Sequence, residues 1–275
     1  MNPTDAFAEL LGRDDDEIPL DRAALWLAAH EYPDLDVEAA CATLDGYAER
    51  LRGRMFGRDE PEEQAFLLAD LLHGELGFSG NPEAYYDPRN SYLNEVLERK
   101  VGIPISLSAV YLEVWRRTGL SLEGVGMPGH FLLRLRHPRR PLLLDPFAGG
   151  TLVSEAECEA RLRGVYGPGV HFRQAMLAAV GTRAIIFRML NNLKGIYTSQ
   201  SDWARVVRTI DLMLITEPGA SSAYRDRGLA HMRTGQLRRA RADFEHYLLN
   251  AIDIEDAGSV REQLALIERL DAMRN

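Results

Sequence analysis

Apolar residues between positions 4 and 76 recur at three- and four-residue spacing, the period of helices packed on one face. Asp21 is placed to cap a helix carrying Ala24, Leu25, Leu27 and Ala28. Beyond Pro33, Asp36 can cap a second helix with Ala39, Ala40, Leu44, Tyr47 and Leu51 inward. Pro61 suits the first position of a third, with Phe66, Leu67, Leu71 and Leu72 on one face. Nothing chemical interrupts this stretch, so residues 1–76 read as an N-terminal helical subdomain.

The pattern changes over residues 77–90, GFSGNPEAYYDPRN, where Gly, Pro, Asn and Asp mark a loop. A short helix over 91–100 is broken by Gly102, and Pro104 opens an amphipathic helix to Arg117 with Leu107, Val110, Tyr111 and Val114 inward. After Gly119 the period shortens to two. Residues 122–126, 130–136 and 141–144 read as strands bounded by Gly or Pro, and a Gly149-Gly150 turn leads to a helix capped by Ser154 with Glu157 in the capping-box position. Residues 77–181 therefore predict a helix opening onto a small antiparallel sheet.

From Thr182 the pattern is helical again and repeats. Leu193, Tyr197, Trp203, Ile210 and Pro218 align with Arg227, His231, Leu237, Phe244 and Ile252 at a constant offset of 34, the tetratricopeptide period. In the second copy Tyr224, Gly228, Gly235, Ala240 and Phe244 supply the aromatic, close-packing, turn, small and bulky positions of such a repeat. A last helix over 259–273 would cap the open apolar edge. Residues 182–275 thus read as repeats with a capping helix, and the whole chain as α+β and mostly helical.

With 46% hydrophobic and 27% charged residues the chain can bury a real core. No apolar run approaches the roughly 20 residues needed to cross a bilayer, and the first 20 are acidic, so a cytoplasmic protein without membrane association is expected. The net charge of −9 is uneven: residues 1–90 carry −14, residues 91–181 carry +3 and the rest +2. An acidic first third and no basic recognition helix argue against nucleic acid as a partner. The cluster Arg225, Arg227, Arg233, Arg238, Arg239 and Arg241 reads as a solvated helix surface. Cys41 and Cys158 cannot form a disulfide framework, and both fall in helical stretches as small buried hydrophobes. The histidines form no metal-ligand spacing, so neither metal nor cofactor is expected.

Three features converge where helix meets sheet. The segment Gly102-Ile103-Pro104-Ile105-Ser106 presents free N–H groups at a positive dipole end, His130 lies in PGHF at the head of a strand, and Asp145 ends another in LLLDPF. A His and an Asp on neighbouring strands can bond, and a His so held can serve as base for a group at the helix start, the arrangement of papain-like cysteine protease and transglutaminase-like folds. Ser106 is open to two readings, nucleophile or hydrogen-bonding group of the first helical turn. Asn90 and Asn94 could line the cleft as amide donors, or Asn90 could cap. Asp87 could join them, or form a turn before Pro88.

The stretch from GNPEAYYDPRNSYLNEVLERKVGIPISL through GVGMPGHFLLR to LLLDPFAGG closely resembles the bacterial SirB-type family, described as regulators of sirC expression, which join a transglutaminase-like domain to tetratricopeptide repeats. The resemblance covers residues 77–163 specifically and the helical tail more loosely. It implies a transglutaminase-like core with His130 and Asp145 in the places of the superfamily's base and orienting acid. Active members start the helix with a Cys in a G-x-C arrangement, whereas here Gly102-Ile103 leads to Pro104 and no thiol is present. The expectation is a non-catalytic protein acting through a protein or peptide partner, an indirect regulator of gene expression. The alternative is a hydrolase or acyltransferase using a Ser106-His130-Asp145 triad.

Overall fold

The computed structural model describes residues 2–137, 141–250 and 256–272. They divide into two compact units, Met1–Met189 and Leu190–Asn275. Ile252 and Met273, assigned above to a repeat position and the end of the capping helix, lie outside the described residues.

The first unit starts with helices α1 (Pro3–Leu11), α2 (Leu20–Ala28), α3 (Val37–Met55) and α4 (Pro61–Ala69), the last running into a π-helical turn at Asp70–Glu75. Asp36 caps α3 through the Ala39 amide at 3.0 Å, and Pro61 opens α4, as expected. Asp21 and Phe66 depart from expectation. The cap of α2 is Pro19, and Asp21, one position into the helix, is buried against the Arg117 guanidinium. Phe66 is 67% exposed, because the buried stripe of α4 runs through Ala65, Leu67 and Leu68.

Next come β1 (Ser79–Gly80), α5 (Leu93–Arg99), β2 (Val101–Gly102) and α6 (Pro104–Arg116). β1 and β2 pair in parallel and bracket the segment 81–100, which contains α5, ahead of the start of α6. The amphipathic reading of α6 is corrected: every residue from Pro104 to Trp115 is buried. Helices α2, α3 and α5 pack on it from one side and the sheet from the other, so no face is left for water. Its charges are answered near the C-terminal end, where Arg117 bonds Glu113 at 2.5 Å and Asp45 at 2.6 Å as well as Asp21. Burial would push the Asp21 carboxyl up, but the bond and charge of Arg117 outweigh it and hold it low.

The sheet contains β3 (Leu122–Val125), β4 (Leu132–Leu135), β5 (Leu142–Asp145), β6 (Thr151–Val153) and β7 (Ala179–Val180) in the order β6-β5-β4-β3-β7, every pair antiparallel. Helix α7 (Glu155–Tyr166) lies between β6 and β7 in the chain, and its start closes the expected capping box, Ser154 to the Glu157 amide and Glu157 back to Ser154. Cys41 and Cys158 are both buried as free thiols, and burial pushes the Cys41 thiol up to about 12.

Helix α8 (Thr182–Ser199) contains the division between units, and α9 (Trp203–Thr216), α10 (Ser221–Arg233), α11 (Leu237–Asn250) and α12 (Ala257–Ala272) follow. α9 and α11 begin 34 residues apart, the period read from the sequence. Gly228 lets α10 approach α11: a Cβ there would sit 2.5 Å from the Phe244 ring. Gly235, at φ +72°, makes the turn between them. Val260 and Ile267 of α12 join Ala240, Phe244 and Tyr247 in one apolar cluster. Arg225 and Arg227 of the arginine cluster are partly buried in ion pairs, whereas Arg233, Arg238 and Arg239 are exposed. Arg227 bridges Asp211 and Asp243 at 2.7 Å each, Arg225 pairs with Asp226 and Asp256, and Arg233 lies over the Trp203 ring. Among the described residues no helix is long and apolar enough to cross a membrane.

Gly228→Val would drive a branched side chain into Phe244, so it should destabilise the repeat unit by about 1–3 kcal/mol, read from chemical or thermal unfolding.

Candidate functional site

Helix α6 starts at Pro104 because its missing N–H falls where no intrahelical bond is available. Ser106, in the third helical position, is fully buried. Its hydroxyl accepts from the Ile103 amide at 3.1 Å and lies 2.5 Å from the Asn90 carbonyl, to which it donates. The Ile103 carbonyl, at 3.2 Å, is its remaining neighbour. Ser106 is thus tied to its own helix start and to the preceding loop, and no hydrogen bond joins it to His130 among the described residues.

Asn90 is the hub of that loop. Its side-chain amide donates to the Ala84 carbonyl at 2.7 Å, while its amide oxygen accepts from Asn81 at 3.3 Å and Arg99 at 3.4 Å. Completely buried, it lines no cleft. Asp87 caps the short 3-10 turn Pro88–Asn90 through the Arg89 amide at 2.9 Å and pairs with the Arg89 side chain at 2.6 Å. The Arg89 bond holds its carboxyl below the usual range. Asn94 sits on α5, its side-chain oxygen buried without a hydrogen-bond partner among the described residues.

His130 and Asp145 do meet. Leu144 pairs with Leu133, so Asp145 ends β5 beside the point where the chain enters β4. His130 Nε2 lies 3.0 Å from Asp145 Oδ1, with Asp145 1% exposed and His130 14%. The Phe147 amide donates to the same oxygen at 3.1 Å, turning the chain at Pro146–Ala148. The two residues that follow, Gly149 and Gly150, have φ of +73° and +77° and complete the turn into β6.

Two arginines complete the site, and sequence reasoning assigned neither to it. Arg161 of α7 donates through Nη1 to the other Asp145 oxygen and lies 3.1 Å from His130 Nε2. Because that nitrogen faces the carboxylate, its proton is directed at Asp145. Arg188 of α8 donates to the carbonyls of Met127 at 3.0 Å and His130 at 2.7 Å and lies over the Phe131 ring, bracing the turn that carries the imidazole. The sequence held one clue to Arg161: it falls between Cys158 and Leu162, the two buried positions of α7.

Beside the pair opens a cavity of about 330 Å³, walled by Met127, Pro128, Phe147, Ala148 and Val165, with His130, Asp145 and Arg161 as its polar groups. Tyr86, Tyr85, Phe147 and His130 form a chain of edge-to-face contacts leading outward, Tyr86 being 73% exposed. Burial would push the Asp145 carboxyl up, but the bonds and charges of His130 and Arg161 outweigh it and hold it below the ordinary 3.8. Among the described residues no group of three or more His, Cys, Asp or Glu could hold a metal ion.

A carboxyl held low in the folded state contributes stability above the ordinary aspartate value and loses it as pH falls through the lower folded value. Asp145→Asn should therefore cost about 1.5–3 kcal/mol at neutral pH. The difference from the parent should shrink below about pH 4, a window that denaturation curves across pH 2–7 would resolve.

The family profile described as transglutaminase-like superfamily matches residues 38–191, and a tetratricopeptide-repeat profile matches residues 193–265. A UPF0162 protein of Xylella fastidiosa is 40% identical over 238 residues, 86% of this chain and 85% of the relative. One from Vibrio cholerae is 35% identical over 193 residues, 70% of each. F-box only protein 21 of mouse is 34% identical over 174 residues, 57% of this chain and 27% of that protein. No solved structure matches. On the first unit's profile and the length of the bacterial matches, the chain belongs to the transglutaminase-like superfamily and, within it, to the UPF0162 proteins.

Proposed function

We infer that this protein is a non-catalytic member of its superfamily that acts by binding a protein or peptide, with the repeats as a second docking surface. The observation that carries this reading is the bonding of Ser106. In the productive complex of an acyl-transfer enzyme the nucleophile comes within about 3.2 Å of its base. The Ser106 hydroxyl gives its proton to the Asn90 carbonyl instead, inside a site closed to water. Neither thiol replaces it, since Cys158 and Cys41 are buried and both titrate above the ordinary range.

What remains of the site suits binding. A His–Asp pair and an arginine converge on an apolar cavity, the composition of a small-ligand or side-chain pocket. Helical repeats make surfaces on which extended partners dock. The SirB-type resemblance extends the reading to an indirect influence on gene expression, exerted in the cytoplasm through that partner.

The test is turnover of a panel of p-nitrophenyl esters and peptide anilides by the parent, Ser106→Ala and His130→Ala, with fluorophosphonate labelling of Ser106 followed by mass spectrometry. The expected result is equal rates for all three and no label on Ser106. A loss of a hundredfold or more in Ser106→Ala, or stoichiometric labelling, overturns the reading. Ser106→Ala should also cost about 1–3 kcal/mol of stability, because the buried Asn90 carbonyl loses its 2.5 Å donor and the Ile103 amide keeps only its 3.4 Å bond to that carbonyl.

A further inference from the structure

We propose that the His130 cavity recognises a carboxylate carried next to an apolar side chain, as at a peptide C terminus. The inference rests on the binding reading above and names its ligand. Arg161 lines the cavity with its side chain 36% exposed, and its bond to Asp145 leaves through Nη1, the nitrogen that also lies beside His130 Nε2. Its Nε and Nη2 carry no partner among the described residues. These two N–H groups are parallel and spaced to meet the two oxygens of one carboxylate, the strongest pairing an arginine makes. Asp145 holds the guanidinium from behind and fixes that edge, so little side-chain freedom is lost on binding.

The walls decide what accompanies the carboxylate. Met127, Pro128, Phe147, Ala148 and Val165 are apolar, and Val165, 62% exposed, stands at the rim. At about 330 Å³ the cavity is at the small end of ligand sites, which run from about 300 to 1,000 Å³, so it has room for about one residue. Within one residue of a peptide, a carboxylate and an apolar side chain occur together only at the C terminus. An internal Asp or Glu would bring the charge without the apolar group. A free aryl or alkyl acid shares the chemistry, and the test separates the two sources.

The full chain would be titrated calorimetrically with acetyl-Gly-Gly-Phe as free acid, with the same peptide as its C-terminal amide, and with 3-phenylpropionate. The acid should bind and the amide should be at least tenfold weaker. A peptide acid at least tenfold tighter than phenylpropionate assigns the site to a protein C terminus, and equal affinities assign it to a small acid. Arg161→Gln should abolish the preference for acid over amide. Should that variant not fold, Val165→Glu sets a negative charge at the rim without touching the Arg161–Asp145 pair, and it should weaken the acid at least tenfold with melting unchanged. Equal binding of acid and amide, no binding of either, or an acid unaffected by Val165→Glu overturns the proposal while leaving the non-catalytic reading in place. Cleavage of the amide at a Ser106-dependent rate would instead overturn the reading on which it rests.

Discussion

The carboxylate of Asp145 is the fixed point around which the site is arranged. A charge at 1% exposure stays in place only if donors answer it, and three do so: the imidazole of His130, the guanidinium of Arg161 and the Phe147 amide. Each answer has a structural consequence. The imidazole links β5 to the turn before β4, Arg161 ties the middle of α7 to the end of β5, and the Phe147 amide starts the reversal that Gly149 and Gly150 finish. The cavity is the space these three ties enclose. Arg188 adds a fourth constraint from α8 by holding the backbone on which the imidazole rides.

A second buried charge cluster secures the opposite end of α6. Arg117 gathers Asp21 of α2, Asp45 of α3 and Glu113 of α6 itself. Helix α6 is therefore pinned at its start by Ser106 and Asn90 and near its end by Arg117, with apolar side chains filling the length between. Such a helix has little freedom to rotate or slide, which makes the first unit a rigid frame for whatever the cavity receives.

Much of this was legible in the residues themselves. PGHF and LLLD each place a titratable group at a strand end, and antiparallel register does the rest, so the His130–Asp145 approach could be anticipated. The constant offset of 34 reappears in the first residues of α9 and α11. What was hidden had physical reasons. β1, β2, β6 and β7 are two or three residues long, too short for a period to register. The all-round burial of α6 was masked by Ser106, Ser108 and Glu113, which mimic a wet face although the first and last are bonded internally. Arg188 acts on residues 58 and 61 positions away, and no local pattern marks so distant a bond. Asp21 and Asp87 look alike as turn or cap residues; only the fold distinguishes the one facing Arg117 from the one capping a 3-10 turn.

The enclosure of Ser106 also limits how this scaffold could change. Sulfur is larger than oxygen and a poorer donor, so a cysteine at 106 would crowd the Ile103 amide and weaken the bond to the Asn90 carbonyl, while its thiol stayed shut away from solvent and resisted ionisation. Pro104 holds the preceding turn and lacks the N–H that might greet an oxyanion. Placing a reactive thiol at position 106 would thus demand rebuilding the loop around Asn90 together with the helix entrance, a path of several coordinated steps rather than one.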